Sequence, residues 1–303
     1  VKILVLELNY LGDLMMSSPA VKALSQIGEV DVLAYDFAKE LLANHSHITH
    51  VYTCSKSKQQ VIKTAWELRS EGYDVGIQFN TSLFNNVALL LAGCRERIGY
   101  NHNHRAFLNT VKVPIAQSAC TVGRRTDEVC DLVEKSFHVP VWDRQMVYNV
   151  EGEWKEKGFI TVIHTCTRNT SWLRQWHGWR ELVLRIGHKF GWRIYYTGSK
   201  ADAEYVRGET RYCPAINLCG KTTIDELARL LKRADLCVTV NTFTMHLAIA
   251  LETPTVAIVG GTDVSVVCPS EDDKFKHVQS GLTTKEITVD MVWDKIIELK
   301  EGK

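Results

Sequence analysis

The sequence predicts an α/β protein of two successive units, each an open parallel sheet with helices between its strands. Three observations carry this. Short apolar runs alternate with amphipathic helical stretches in both halves, the pattern of repeated strand-helix-strand crossovers. Between the halves, Val139 to Glu153 carries Pro140 and several polar residues without a hydrophobic period, and reads as a linker. The chain of 303 residues is also long enough for two ordinary cores.

In the first half, Lys2 to Leu8 reads as a strand, Asn9 to Asp13 as a turn, and Leu14 to Ser25 as a helix that turns Val21 and Leu24 inward. Strands at Val30 to Ala34 and His50 to Thr53 come next, with helices near Phe37 to Ala43 and Val61 to Ser70. Tyr73 to Asn80 is a further strand, Leu83 to Ala92 a helix, and Asp127 to Phe137 the helix that closes the unit. The second half starts afresh. Its expected strands are Phe159 to His164, Trp192 to Thr197, Ile216 to Leu218, Leu236 to Val240 and Thr255 to Val259. Helices are expected near Gly178 to Lys189, Ala201 to Gly208, Ile224 to Lys232 and Met245 to Leu251. A last amphipathic helix, Val289 to Leu299, puts Val292, Ile296 and Leu299 on one face and could return across the junction. The expected division is 1–148, 149–287 and a C-terminal helix within 288–303.

Composition narrows the function. A net charge of +1 without long single-sign blocks argues against a general nucleic-acid or membrane-coating protein. Nine scattered cysteines, with no C-x-x-C pair, suit a reducing compartment better than a disulfide framework or a zinc site. No apolar run reaches bilayer length, and Val1 to Leu8 runs into a Gly turn rather than a cleavage site. A cytoplasmic location is expected, with association at the inner face of the membrane left open.

The chemistry concentrates at Val238 to Ala250. A strand ends there, Asn241 and Thr242 can cap the next helix, and Met245, Leu247, Ala248 and Leu251 recur at helical spacing. Free N–H groups at such a turn, at the carboxyl edge of an open sheet, favour an anion. The stretch therefore reads either as a diphosphate seat or as an ordinary capped helix.

With these residues laid out, the chain resembles glycosyltransferase family 9, the ADP-heptose:lipopolysaccharide heptosyltransferases, over nearly its whole length. Leu11-Gly12-Asp13 with Ser18-Pro19-Ala20 resembles the family's opening L-G-D turn and helix, and Tyr73-Asp74-Val75 through Arg97-Ile98-Gly99-Tyr100 its next stretch. Gly198 to Asp202, Asn217 to Thr223, Met245-His246-Leu247-Ala248 and Gly260-Gly261-Thr262-Asp263 resemble its later blocks in order and spacing. The resemblance implies the GT-B fold, two Rossmann-like domains with parallel sheets facing across a cleft, the first binding acceptor and the second nucleotide sugar. It implies no metal site and no cofactor beyond the donor substrate, ADP-heptose or another nucleotide sugar. The acidic run Glu271-Asp272-Asp273 is expected to be a solvated loop.

Residue by residue, the resemblance makes Asp13 the general base, which must reach the acceptor hydroxyl while ionised. The alternative is a first-turn Asp favoured by the helix dipole. Donor contacts are expected from Thr167, Arg168, Arg174, Gly198, Ser199, Asn241, Thr242, Phe243, Thr244, Met245, His246, Thr262 and Asp263. Arg174 stands where the family usually has Lys, and it can meet a diphosphate bidentately. Asn241 replaces the usual Asp and Phe243 the usual Gly, so the donor's identity stays open. His246 reads equally well as a satisfied core histidine, and Thr262 and Asp263 as turn residues. Acceptor contacts are expected from Gly12, Arg97, Arg124 and Arg125, with Lys56 and Lys58 among the basic residues suited to an acidic saccharide or glycolipid. Two other classes remain: a binding protein of this descent without turnover, and a dinucleotide oxidoreductase, which the lack of a G-x-G-x-x-G turn after any strand disfavours.

Overall fold

The computed structural model describes the chain except Asn44, 116–123, 166–174, Tyr212, Leu282, Lys303 and the side chain of Asn103. It separates into two compact units, Val1–Asn149 and Val150–Lys303.

The first unit runs β1 (Lys2–Glu7), α1 (Leu11–Ser25), β2 (Glu29–Tyr35), α2 (Lys39–Ala43), β3 (His50–Cys54), α3 (Lys58–Glu67), β4 (Val75–Gln78), α4 (Leu83–Leu91), β5 (Glu96–Tyr100), β6 (Val111–Val113) and α5 (Arg124–Phe137). Its six strands are parallel in the order β3-β2-β1-β4-β5-β6. β1 is central, and Ile3, Leu4, Val5 and Leu6 are fully buried, as expected of a strand covered on both faces. Helix α1 begins three residues earlier than the sequence suggests, so Gly12 and Asp13 lie in its first turn and not in a loop. Pro19 sits inside this helix and cannot donate to the Met15 carbonyl; the Ser18 hydroxyl supplies that bond instead, at 2.7 Å.

The second unit runs β7 (Ile160–His164), α6 (Trp179–Phe190), β8 (Arg193–Thr197), α7 (Ala203–Thr210), β9 (Ile216–Asn217), α8 (Ile224–Arg233), β10 (Leu236–Val240), α9 (Phe243–Ala250), β11 (Thr255–Gly260), α10 (Val264–Val267), β12 (Phe275–Ser280) and α11 (Val289–Glu301). Again six parallel strands form one sheet, β12-β11-β10-β7-β8-β9. α11, expected to return across the junction, buries Val292 and Ile296 in the core of this second unit, beside Val256 and Ile258 of β11.

Three strands escaped the sequence pattern. β5 reads only as a family-like segment, β6 has three residues, and β12 is an edge strand whose Lys276, His277 and Gln279 break the apolar run. An edge strand needs no continuous hydrophobic stretch, because only part of it is covered.

In both sheets the direction in which successive strands are added reverses beside the first strand. The reversal falls between β1 and β4 in one sheet and between β7 and β10 in the other. Ligands in open α/β sheets bind outside the carboxyl ends of the strands at such a point.

Candidate active site

In the first unit the reversal point is defined by Glu7 at the end of β1 and by Phe79 just past β4, next to the paired residues Leu6 and Gln78. Asp13 and Ser17 are four apart on α1, hence on one face of it. Ser17 donates its hydroxyl to the buried Glu7 carboxylate, and Asn9 donates to the same group at 3.3 Å. Arg125, from the first turn of α5, donates to the Phe79 carbonyl and pairs loosely with Glu128 at 3.8 Å. Its positive charge reaches both Asp13 and Glu7.

Burial pushes the Asp13 carboxyl above its ordinary 3.8, against the pull of Arg125 and of a backbone hydrogen bond at Tyr10. Burial acts more strongly on Glu7, raising it from 4.5 to about 7 despite the Ser17 and Asn9 hydrogen bonds and Arg125. Thus two carboxyl groups of different basicity share one guanidinium. The amide of Asn80 extends the polar edge, donating to Asn9 at 3.3 Å and accepting from the Ser82 N–H at 2.9 Å.

Beside Asp13 an aromatic and cationic surface forms from the ends of three adjacent strands. Tyr10 stacks with Phe37 at 6.3 Å, Tyr35 lies 5.7 Å from Phe37, and the Lys56 ammonium sits 4.3 Å from the Tyr10 ring centre. Lys56 also donates to the Tyr10 hydroxyl at 2.7 Å. Arg124, the first residue of α5, is exposed. Arg97 is not brought to this group. It lies near the amino end of β5, where its guanidinium holds the carbonyls of Leu108 and Cys94 at 2.8 and 2.9 Å.

In the second unit, β7 ends at His164 and β10 leads through Asn241 and Thr242 into α9. Thr242 is the N-cap of α9 in extended conformation, but its side chain makes no capping hydrogen bond. The N–H groups of Phe243 and Thr244 precede the first bond within the helix, from the Met245 N–H to Thr242, and lie at the carboxyl edge of the sheet. Thr244, in the first turn, meets the His164 Nδ1 at 3.1 Å, and Thr197 at the end of β8 meets the same nitrogen at 3.0 Å. A ring nitrogen between two hydroxyls fixes the imidazole plane. Thr239 and Thr242 approach at 3.5 Å. Phe243 and Asn241 are half-buried at the same turn.

Gly198 and Ser199 follow β8; Ser199 gives its N–H and its hydroxyl to Asp202, each at 2.7 Å, in a capping box. Thr262 and Asp263 follow β11, and Asp263 caps α10 through the Ser265 N–H at 3.0 Å. Since β8, β7, β10 and β11 are consecutive in the sheet, these residues share one edge with Asn241 to Thr244. Met245 does not join them. Its side chain is fully buried against Ala257, Val259, Cys268 and Phe275, and its N–H bonds back to Thr242 at 3.1 Å. Its place on the inward face of α9 makes it a core residue.

His246 is buried, and desolvation lowers it to about 4, so the ring is neutral at physiological pH. Among the described residues its Nδ1 has no hydrogen-bond partner. Thr167, Arg168 and Arg174 lie outside the described residues. The segment next to them is anchored: the Trp176 indole donates to the Ile287 carbonyl at 2.6 Å, and Thr284 donates to the Gln175 carbonyl, also at 2.6 Å. In the acidic run, Glu271 accepts from the His277 N–H and Lys295, and Asp272 from the N–H groups of Lys274 and Phe275.

Sequence reasoning missed Glu7, His164 and Thr197. Glu7 was visible as a charged residue in an otherwise apolar strand, while His164 and Thr197 are the polar last residues of β7 and β8. Among the described residues no helix is long and apolar enough to cross a membrane.

A family model described as glycosyltransferase family 9 (heptosyltransferase) matches residues 61–289. Among characterised proteins, lipopolysaccharide heptosyltransferase 3 of Escherichia coli is 21% identical over 289 residues, covering 84% of this chain and 82% of that protein. Its counterpart in strain K12 is 25% identical over 292 residues, covering 84% and 81%. Among solved structures, E. coli ADP-heptose lipopolysaccharide heptosyltransferase II superposes with a TM-score of 0.82 at 18% identity, covering all of both chains. E. coli heptosyltransferase WaaC with ADP gives 0.81 at 17% identity, covering 99% of this chain and 100% of that one. The matched span, the shared GT-B fold and the order of the motifs agree: the chain belongs to glycosyltransferase family 9 and is a heptosyltransferase-like glycosyltransferase.

Proposed function

We propose that this glycosyltransferase moves heptose from ADP-heptose to a saccharide hydroxyl of an acidic glycolipid such as the lipopolysaccharide inner core, inverting the anomeric centre without a metal. The observation that carries this reading is the chemistry each unit presents at the carboxyl edge of its own sheet. The first unit presents a carboxylate within reach of a guanidinium's charge, and the second a helix N-terminus whose N-cap side chain makes no capping bond and which hydroxyls flank.

In this reading Asp13 takes the proton of the acceptor hydroxyl as its oxygen attacks the anomeric carbon in line. The bond from that carbon to the diphosphate oxygen breaks, and its electron pair leaves with ADP. The N–H groups at the start of α9, the Thr242 and Thr244 hydroxyls and the His164 ring receive the developing charge, joined by Thr167, Arg168 and Arg174. In this reading Asn241 is assigned to the sugar and His246 to the sugar or the diphosphate, and Gly198, Ser199, Thr262 and Asp263, at the same sheet edge, complete the donor set. On the acceptor side, Gly12 adds no side chain beside Asp13, the cluster of Tyr10, Phe37 and Lys56 would meet a sugar, and Arg124 would meet acidic groups. Arg125 serves mainly to hold the charge of Asp13. Work on a glycolipid would bring the protein to the inner face of the membrane.

Support for the donor comes from relatives whose solved structures hold ADP or ADP-2-deoxy-2-fluoro heptose. Asn241 and Phe243 favour a second reading with the same chemistry and another nucleotide sugar. The test is to offer ADP-heptose and UDP-, GDP- and CMP-sugars with deacylated inner-core acceptor, with and without EDTA, and to assign the product's anomeric configuration by NMR. Release of ADP with an inverted product, unaffected by EDTA, is expected. Turnover only with another nucleotide sugar would discard the heptose, and a retained anomer or loss with EDTA would discard the mechanism.

A further inference from the structure

We infer that Glu7 is a positioning residue for transfer, which from beneath the first turns of α1 divides the charge of Arg125 with Asp13 and so governs the strength of the base. The inference rests on the reading of Asp13 as general base.

The geometry is local and closed. Glu7 is the last residue of the central strand and is 1% exposed, so its carboxyl has no route to bulk water. It is held by the hydroxyl of Ser17, one helical turn beyond Asp13 on the same face of α1, and by the Asn9 amide. Arg125 is fixed at the carbonyl of Phe79, just past β4, the strand beside β1. Among the described residues, the charges that act on Glu7 are those of Asp13 from α1 and Arg125 from α5. Its strand neighbour Ala34 on β2 and the buried Phe79 bring only apolar side chains.

A buried acid in this place has two states with different effects on the base. While Glu7 keeps its proton, Arg125, which also pairs loosely with Glu128, attracts Asp13 without competition from Glu7 and holds it a weaker base. When Glu7 ionises, it competes for the same guanidinium and adds a second negative charge, and Asp13 becomes a stronger base. Burial brings that ionisation to about 7, inside the working range of most enzymes. The rate should therefore show two steps with rising pH: one as Asp13 ionises, and a second near neutrality as Glu7 does.

The test is the pH profile of kcat for release of ADP from ADP-heptose with deacylated inner-core acceptor, in the wild type, Glu7→Gln, Ser17→Ala and Asp13→Asn. For the wild type the second step is expected to be roughly threefold, from the Brønsted dependence of base catalysis. Glu7→Gln, which keeps the size of the side chain, should abolish the second step and retain the first. Ser17→Ala, which removes a hydrogen bond that stabilises the Glu7 anion, should move that step to higher pH; this variant carries the test if Glu7→Gln does not fold. Persistence of the step in Glu7→Gln, or an unmoved step in Ser17→Ala, would overturn the inference. Asp13→Asn separates the two readings. If it is inactive at every pH while the step survives in Glu7→Gln, only the role of Glu7 falls; if it remains active, the base assignment falls and the role of Glu7 with it.

Discussion

Replacing Glu7 by Gln should remove part of the protein's pH dependence of stability, independently of any substrate. The folded carboxyl titrates at about 7 and the unfolded one near 4.5, so between these values the folded state holds more protons. Stability from this group is fully present below 4.5, falls as pH rises to about 7, and is level above that. At about 1.4 kcal/mol per pKa unit, the fall amounts to about 3 kcal/mol. Gln has no such term. His45 and His246, each lowered by burial to about 4, tilt the other way, losing stability as pH falls from 6.5 toward 4. The informative quantity is therefore the difference between variant and wild type, in which the histidines cancel. Urea unfolding of the intact protein at pH 4.5 and pH 8 should show the variant gaining about 3 kcal/mol on the wild type between the two, equivalent to roughly 5 °C in Tm for a chain of this length. A difference that does not change with pH would refute the buried, proton-holding state of Glu7.

Two other substitutions probe the scaffold and the donor edge. Arg144 ties the segment after α5 back to that helix through Asp127, Asp131 and Glu134 at 2.8 to 3.0 Å, and Asp127 is fully buried. Arg144→Ala should lower stability by about 3 kcal/mol in urea unfolding, because it leaves a buried carboxylate without this partner. His164→Ala removes the ring that Thr197 and Thr244 share. Calorimetric titration should show ADP binding weakened roughly tenfold; unchanged affinity would place the diphosphate elsewhere.

The parts of this protein that sequence alone revealed are those whose signal is local. The β1–α1 and β10–α9 turns each join an apolar run to a helical period through Gly or Asn, so Asp13 and the start of α9 could be located from neighbouring residues. Met245 misled because nothing local says which face of α9 meets β11. Arg97 misled because a strand can be recognised without knowing which of its ends carries the side chain, and this one is spent on backbone carbonyls at the amino end. The partners of His164 lie 33 and 80 residues away. Glu7 has a partner in Ser17 ten residues on, but Arg125 reaches it only through the packing of α5. β12, an edge strand with Lys, His and Gln, has no apolar run to read.

The central claim is that Asp13 accepts the acceptor's proton while the second unit alone holds the nucleotide. Asp13→Asn tests it most directly, with ADP affinity measured by calorimetry and ADP release measured in the presence of acceptor. The account predicts unchanged ADP affinity, since Asp13 belongs to the first unit, and turnover lowered by a factor of about 10² to 10⁴. Near-normal turnover in a folded variant would contradict it.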